Sequence, residues 1–207
     1  FHQVSLDYKN NDVFLFRYFM INVLFVCLGN ICRSPTAHGV FREYVRHSNL
    51  EDLIIIDSAG TGDWHIGKNP DKRATCAAKN KGYDLSDLRA RQVTPEDFKN
   101  FDYILAMDQS NLKSLRRMSP PNFSGELKLF LDYHPDTSTK EVPDPYYGDD
   151  DGFVTMLTMI ETASTELLSQ IKNNYKLNSD EKDSSVMIMM KDVASTKTID
   201  CLNNLQK

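Results

Sequence analysis

The feature that most constrains this chain is a junction. Val23-Leu24-Phe25-Val26 is a short, uninterrupted apolar run, the pattern of a strand buried on both faces. It leads directly into Cys27-Leu28-Gly29-Asn30-Ile31-Cys32-Arg33-Ser34, and Ser34-Pro35 reads as an N-cap followed by a first helical residue. Ala37, Val40, Phe41, Tyr44 and Val45 then recur at i, i+3, i+4, i+7 and i+8, so a helix with one core-facing side is expected. A buried strand turning into a helix N-terminus is the opening unit of a parallel α/β fold. Such folds bind ligands beyond the carboxyl ends of their strands.

The alternation repeats downstream. Leu53-Ile54-Ile55-Ile56 reads as a second strand ending at Asp57-Ser58-Ala59-Gly60. A helix over 71–81 stops at Gly82, and Thr94-Pro95 opens a short one. Tyr103-Ile104-Leu105-Ala106 is a third strand, and Leu112, Leu115 and Met118 mark a helix closed by Pro120-Pro121. A fourth strand is expected over 127–131. Phe153, Met156, Leu157, Ile160, Leu167, Leu168 and Ile171 share one side of a long helix over 153–175. The expected architecture is a single-domain, three-layer α/β fold: a four-stranded parallel sheet with helices on both faces and a phosphate-binding loop after the first strand. Residues 21–177 are expected to form this domain, 1–20 a poorly ordered extension, and 178–207 a polar tail.

The chain begins with Phe1, and Met20 falls just before the first strand. A translated upstream segment or a fragment is the expected reading of residues 1–20. A targeting remnant is the alternative, against which Asp7, Asp12 and the scarcity of Arg speak. The net charge of -5 does not suit a nucleic-acid binder, so an anion site must rely on local donors. The longest apolar stretch, 13–21, contains Arg17 and is too short for a membrane helix. Cys27, Cys32, Cys76 and Cys201 are too few and too irregularly spaced for a disulfide framework. A soluble, cytoplasmic monomer without nucleic-acid or membrane partners is expected.

The loop suggests its own chemistry. Backbone N–H groups in a strand-to-helix turn can converge on an anion, assisted by the helix dipole. Arg33, six residues after Cys27, can fold its fork back over the loop and hold two phosphate oxygens. The same positive surroundings favour a thiolate, which can attack phosphorus and form a cysteinyl-phosphate. Ser34 could donate to the Cys27 sulfur and improve it as a leaving group. The bland alternative, a small buried cysteine beside an exposed helix-start arginine, suits a bare Cys and Arg better than it suits this strand–loop–helix setting.

Taken together these residues resemble the low-molecular-weight protein tyrosine phosphatases. The run from Val23 to Pro35 looks like that family's phosphate-binding signature. The likeness continues through Asp57-Ser58-Ala59-Gly60-Thr61, Ala90-Arg91-Gln92, Phe101 to Asp108 and Asp144-Pro145-Tyr146-Tyr147-Gly148, covering about 22–177 in unbroken order. The resemblance implies hydrolysis of protein phosphotyrosine and aryl phosphate monoesters, with no metal and no cofactor. It makes Cys27 the nucleophile, Arg33 the phosphate ligand, and Asp144 the general acid and then base. Pro143 and Pro145 would stiffen the backbone around that acid. Leu28, Gly29, Asn30, Ile31, Cys32 and Ser34 would cradle phosphate or shape the loop, with Ser58 and Asp108 in support. Asp108 reads equally as an N-cap for the next helix. Trp64, Tyr146 and Tyr147 would form the substrate rim, and phosphotyrosine-containing proteins would be the partners.

Family likeness also implies that Cys32 can trap an oxidised Cys27 as a reversible disulfide, although a loop-filling residue is the simpler reading. Many members carry a network His shortly before the Ala-Arg-Gln segment, where this chain has Ser86-Asp87-Leu88-Arg89. His38 is expected on a helix surface, Cys76 as a close-packing residue beside Ala74, Ala77 and Ala78, and Asp149-Asp150-Asp151 as a cap of the last helix. Three rival functions remain. A thiol-dependent arsenate reductase would need further relay cysteines, and Cys76 and Cys201 are poorly suited. A phosphoarginine phosphatase, by resemblance, would carry Thr in place of Ile31. A non-catalytic phosphate-binding module would be expected to lose Cys27 or Asp144.

Overall fold

The run that anchors the sequence lies at the centre of the sheet. The structure is a computed structural model that describes residues 20–146 and 150–177, with backbone alone at 150 and 151. Strand β1, Ile21–Cys27, pairs in parallel with β2, Ile54–Gly60, on one side and with β3, Tyr103–Ala106, on the other. β3 carries β4, Glu126–Leu129, also parallel, so the order is β2-β1-β3-β4. The carboxyl ends of all four strands therefore share one edge. The order reverses direction at β1, which opens a crevice beyond Cys27.

Neighbouring side chains on β1 point to opposite faces, yet Val23, Leu24, Phe25 and Val26 are all fully buried. Leu24 and Val26 pack with Ile104, Ala106 and Leu129, and with Phe98 of the single-turn helix α3 (Asp97–Asn100) and Leu112 and Leu115 of α4 (Gln109–Met118). On the opposite face Phe25 sets its ring edge-on against Phe41 of α1 (Arg33–His47) at 5.7 Å and against Phe130 at 5.0 Å. Each such edge-on pair contributes about 0.5–1.5 kcal/mol beyond its buried area. Helices thus cover both faces, as expected. α2 (Lys72–Asn80) follows β2, with Asp71 as its N-cap and Gly82 past its end at φ +88°.

Several boundaries differ from the sequence expectation: β1 starts at Ile21 rather than Val23, the short helix at Asp97 rather than Thr94, and the last helix at Asp150 rather than 153. β2 runs on to Gly60, because Cys27 pairs with Gly60 in register. β4 ends at Leu129, where the chain tightens into a 3-10 turn, Phe130–Tyr133, that buries Phe130, Leu131 and Tyr133. α1 begins at Arg33 with Cys32 as N-cap and no side-chain cap bond. Ser34 does not cap it because its hydroxyl is engaged elsewhere, as described below.

The chain divides into a unit ending at Ser169 and a unit from Gln170 onward. The last helix, α5 (Asp150–Tyr175), begins in the first. The described part of the second is the end of that helix, closed by Lys176 at φ +55° and by the Leu177 N–H donating to Lys172 O at 2.9 Å. Among the described residues no helix is long and apolar enough to cross a membrane.

Candidate active site

Cys27 is the last residue of β1 and is buried. Its Sγ lies 3.0 Å from Ser34 Oγ and accepts from the Asn30 N–H at 3.2 Å. That geometry needs Asn30 in the left-handed region, at φ +55°, which Asn tolerates better than most residues. The Asn30 amide then uses both ends. Nδ2 donates to Ser34 Oγ and to Ser58 Oγ, each at 2.9 Å, and Oδ1 accepts from the Arg91 backbone N–H at 2.9 Å. The single Ser34 hydroxyl proton has two acceptors in reach, Cys27 Sγ and Ala59 O at 3.2 Å. It can therefore be given to the sulfur whenever the sulfur carries charge.

β2 closes on this loop from the side. The Thr61 and Gly62 N–H groups donate to Cys27 O and Leu28 O, each at 2.9 Å. A Cβ at Gly60 would stand 2.8 Å from Leu28 O and 3.2 Å from Asn30 N, so only a bare backbone fits there. The second loop cysteine, Cys32, is a different kind of thiol. Burial, reinforced by the charge of Asp71, pushes its pKa up to about 12, so it stays protonated at neutral pH.

Arg33 is buried at the start of α1. Its Nη1 donates to Asp108 Oδ2 at 2.6 Å and to Val142 O at 3.3 Å, and its Nη2 donates to Asp144 Oδ2 at 2.6 Å. Burial works against this guanidinium, but Cys27, Asp108 and Asp144 outweigh it and hold the pKa above the ordinary arginine value. Asp108 caps α4, its Oδ1 accepting from the Asn111 N–H at 2.7 Å, while its Oδ2 accepts from Arg33. Asp144 stands between Pro143 and Pro145, and its Oδ1 accepts from the Tyr146 N–H at 3.1 Å.

These groups border one cleft of about 260 Å³. The loop contributes Cys27, Leu28, Gly29, Ile31, Cys32 and Arg33; Trp64, His65, Asp144 and Tyr146 complete the lining. Nucleophile candidate, guanidinium and carboxylate are thus brought together from 27, 33 and 144, with Trp64 and Tyr146 half-exposed at the rim. Asn30, Ser34, Ser58 and Asp108 do not line the cleft and act behind it. Tyr147, Asp149 and Cys201 lie outside the described residues, as do the side chains of Asp150 and Asp151.

Sequence reasoning missed or misplaced four features. His65 lines the cleft, so close over the loop that a Cβ at Gly29 would meet its Cδ2 at 2.9 Å; its position next to Trp64 was the available signal. The Arg91 N–H holds Asn30 from behind, and a backbone donor leaves no trace in a sequence. His38 is buried rather than on the surface, because the 84–91 segment packs down on α1: Arg42 reaches Asp84 O and Asp87, and a Cβ at Gly39 would clash with Leu85 at 2.2 Å. Cys76 is exposed rather than packed, since Ala74 and Ala78, at i and i+4, take the buried face of α2.

Comparison with known proteins bears on this site. A family model described as low molecular weight phosphotyrosine protein phosphatase matches residues 22–177. A Schizosaccharomyces pombe protein named low molecular weight phosphotyrosine protein phosphatase is 46% identical over 152 residues, covering 73% of this chain and 97% of that one. YfkJ of Bacillus subtilis, a low molecular weight protein-tyrosine-phosphatase, is 42% identical over 158 residues, 76% of this chain and all of that one. Its crystal structure superposes with a TM-score of 0.71 over 75% of this chain and 96% of its own. A Drosophila arginine phosphatase superposes with a TM-score of 0.69 at 33% identity, over 72% of this chain and 97% of its own. The chain belongs to the low molecular weight phosphotyrosine protein phosphatase family.

Proposed function

We propose that this phosphatase hydrolyses phosphotyrosine esters on proteins through a cysteinyl-phosphate on Cys27, with Arg33 as phosphate ligand and Asp144 as general acid. The observation that carries the reading is the setting of Cys27. A buried sulfur receives the Asn30 N–H and lies beside the Ser34 hydroxyl, in a cleft that also contains Arg33 and Asp144. The thiolate attacks phosphorus: the S–P bond forms, the P–O bond to the tyrosine ring breaks, and the Asp144 carboxyl gives its proton to the departing phenolate. Asp144, now a carboxylate, takes a proton from water. The water oxygen attacks phosphorus, the S–P bond breaks, and phosphate leaves. Ser34 eases that last step by donating to the returning thiolate.

Arg33 and the loop amides neutralise the charge that builds on the equatorial oxygens. A phosphate that takes the guanidinium competes with Asp144 for Nη2, so binding also loosens the acid from its ion pair. Leu28, Gly29, Ile31 and Cys32 shape the cradle, while Trp64 and Tyr146 offer flat faces to an aromatic ring. The family match over 22–177 supports residues 21–177 as the stretch of sequence that carries this chemistry. Cys27→Ser is expected to abolish turnover while vanadate still binds, and full activity in that variant would overturn the mechanism. Turnover with a chelator present is expected as well.

A phosphoarginine substrate is the second reading, favoured by the likeness to the Drosophila arginine phosphatase. Against it stands Ile31, an apolar residue in the cleft lining where a guanidino phosphate would want a polar partner. Side-by-side rates on phosphotyrosine, phosphoserine and phosphoarginine peptides decide between them.

A further inference from the structure

Asp144 stands on a half-exposed segment, yet the chain around it is anchored to the phosphate loop by a continuous set of contacts. Ile31 O accepts from the Asp71 N–H at 2.7 Å. The Asp71 carboxylate accepts from the Arg73 N–H at 2.8 Å and from Arg73 Nε and Nη2, each at 3.1 Å. The same guanidinium donates from Nη1 and Nη2 to Tyr146 O, each at 3.3 Å. It also lies over the rings of Phe153, 4.7 Å from the centroid, and of Tyr146, 5.6 Å from the centroid. Tyr146 in turn gives its N–H to Asp144 Oδ1.

We propose that Arg73 is a positioning residue for the general acid: fixed by Asp71 to the phosphate loop, it clamps Tyr146 and so aims the Asp144 carboxyl at the leaving oxygen. The proposal rests on Asp144 being that acid. Asp71 suits the post. Burial works against its charge, but the Arg73 guanidinium and N–H outweigh that and hold its carboxyl below the ordinary range. A planar fork is needed, because one face of the guanidinium must stack while its edges serve a carboxylate and a carbonyl at once. Without it, Asp144 Oδ2 keeps Arg33, but the residue whose N–H meets Oδ1 loses the two guanidinium bonds to its carbonyl. Such freedom matters little to binding and much to proton transfer, which demands hydrogen-bond reach.

The test compares kcat/KM for aryl phosphates with leaving groups from dinitrophenol to phenol and tyrosine, in wild type, Arg73→Ala, Arg73→Lys, Asp144→Ala and the double variant. Arg73→Ala is expected to lose about 10–100-fold with phenyl phosphate and phosphotyrosine, and only about 3-fold with the dinitrophenyl ester, which departs without a proton. Arg73→Lys should recover part of that loss. Vanadate affinity should stay within about 3-fold. The double variant should be no slower than Asp144→Ala alone. An equal loss across all leaving groups, or losses that multiply in the double variant, overturns the proposal. If Arg73→Ala fails to fold by circular dichroism, Arg73→Lys carries the same slope test. Should Asp144→Ala show no leaving-group dependence, the acid assignment fails and the clamp falls with it. Should Asp144→Ala show it and neither Arg73 variant do so, the clamp alone is wrong.

Discussion

Around Cys27 the contacts are neutral and buried; around Asp144 they centre on an ion pair and are half exposed. Asn30, Ser34 and Ser58 are 1%, 0% and 4% exposed and saturate one another. The Asp144 side chain is 38% exposed and is held by Arg33 and by the Tyr146 backbone. The two sides should therefore fail differently. Removing a member of the buried network strands polar partners out of reach of water, which costs about 1–3 kcal/mol of stability each. Removing Asp71 or Arg73 on the acid side breaks only a partly exposed pair, so stability should change little while rate suffers.

Arg33 is common to both sides, and Arg33→Lys is the sharpest way to break the contrast. An ammonium cannot reach Asp108, Val142 O and Asp144 together, nor hold two phosphate oxygens in a plane. A loss of about 10³-fold in kcat/KM for a phosphotyrosine peptide is expected, with weaker vanadate binding. A loss under about 10-fold would mean the loop amides bind phosphate on their own.

Asn30→Ala tests the buried side. It removes the amide that satisfies Ser34, Ser58 and the Arg91 N–H, and puts Ala at φ +55°. A stability loss of about 2–4 kcal/mol in urea unfolding is expected, together with a fall in activity, because strained backbone and stranded donors add. Asp71→Ala probes the opposite side through a partly exposed pair. It should cost at most about 1 kcal/mol, most of it from the lost α2 cap, while slowing phosphotyrosine more than dinitrophenyl phosphate. Reversal of these two results would show that the sides are not held as described.

What was legible in the sequence follows the same division. The cradle is contiguous: Cys27 to Ser34 sits between a strand pattern and a helix pattern, and that setting, more than the Cys–Arg spacing, is what marked it as a candidate anion site. The sheet was legible because a strand covered on both faces must be an apolar run, as Val23 to Val26 is. Asp144, distant in sequence, emerged only through family likeness. The contacts that orient it did not emerge at all, because Arg73 and Tyr146 meet through a backbone carbonyl and neither residue type announces the pairing. Backbone partners also explain the Arg91 N–H behind Asn30. His38 was misplaced for a related reason: helical periodicity places a residue on a face but does not show that a loop covers that face.

His38 supplies an effect that vanishes at neutral pH, and one that also separates the two sides. Burial lowers its pKa to about 4; Arg42 adds to this, Asp57 and Asp87 oppose it, and Arg91 adds again. Its Nδ1 is buried with no hydrogen-bond partner. In the unfolded chain the imidazole titrates near 6.5. Between about pH 6.5 and about pH 4 the unfolded chain binds a proton that the folded chain refuses, so stability falls as pH drops through that window and is fully present above it. The whole effect is of order 3 kcal/mol, and at pH 7 it is absent. His38→Leu should flatten the loss of urea stability between pH 7 and pH 4.5 without lowering stability at pH 7; parallel curves for the two proteins would remove His38 as the cause. The charges it senses include Asp57 and Arg91, and the Arg91 N–H holds Asn30. Mild acid should therefore loosen the cradle before the acid segment, with amides of 27–34 exchanging earlier than those of 141–146 in wild type but not in His38→Leu.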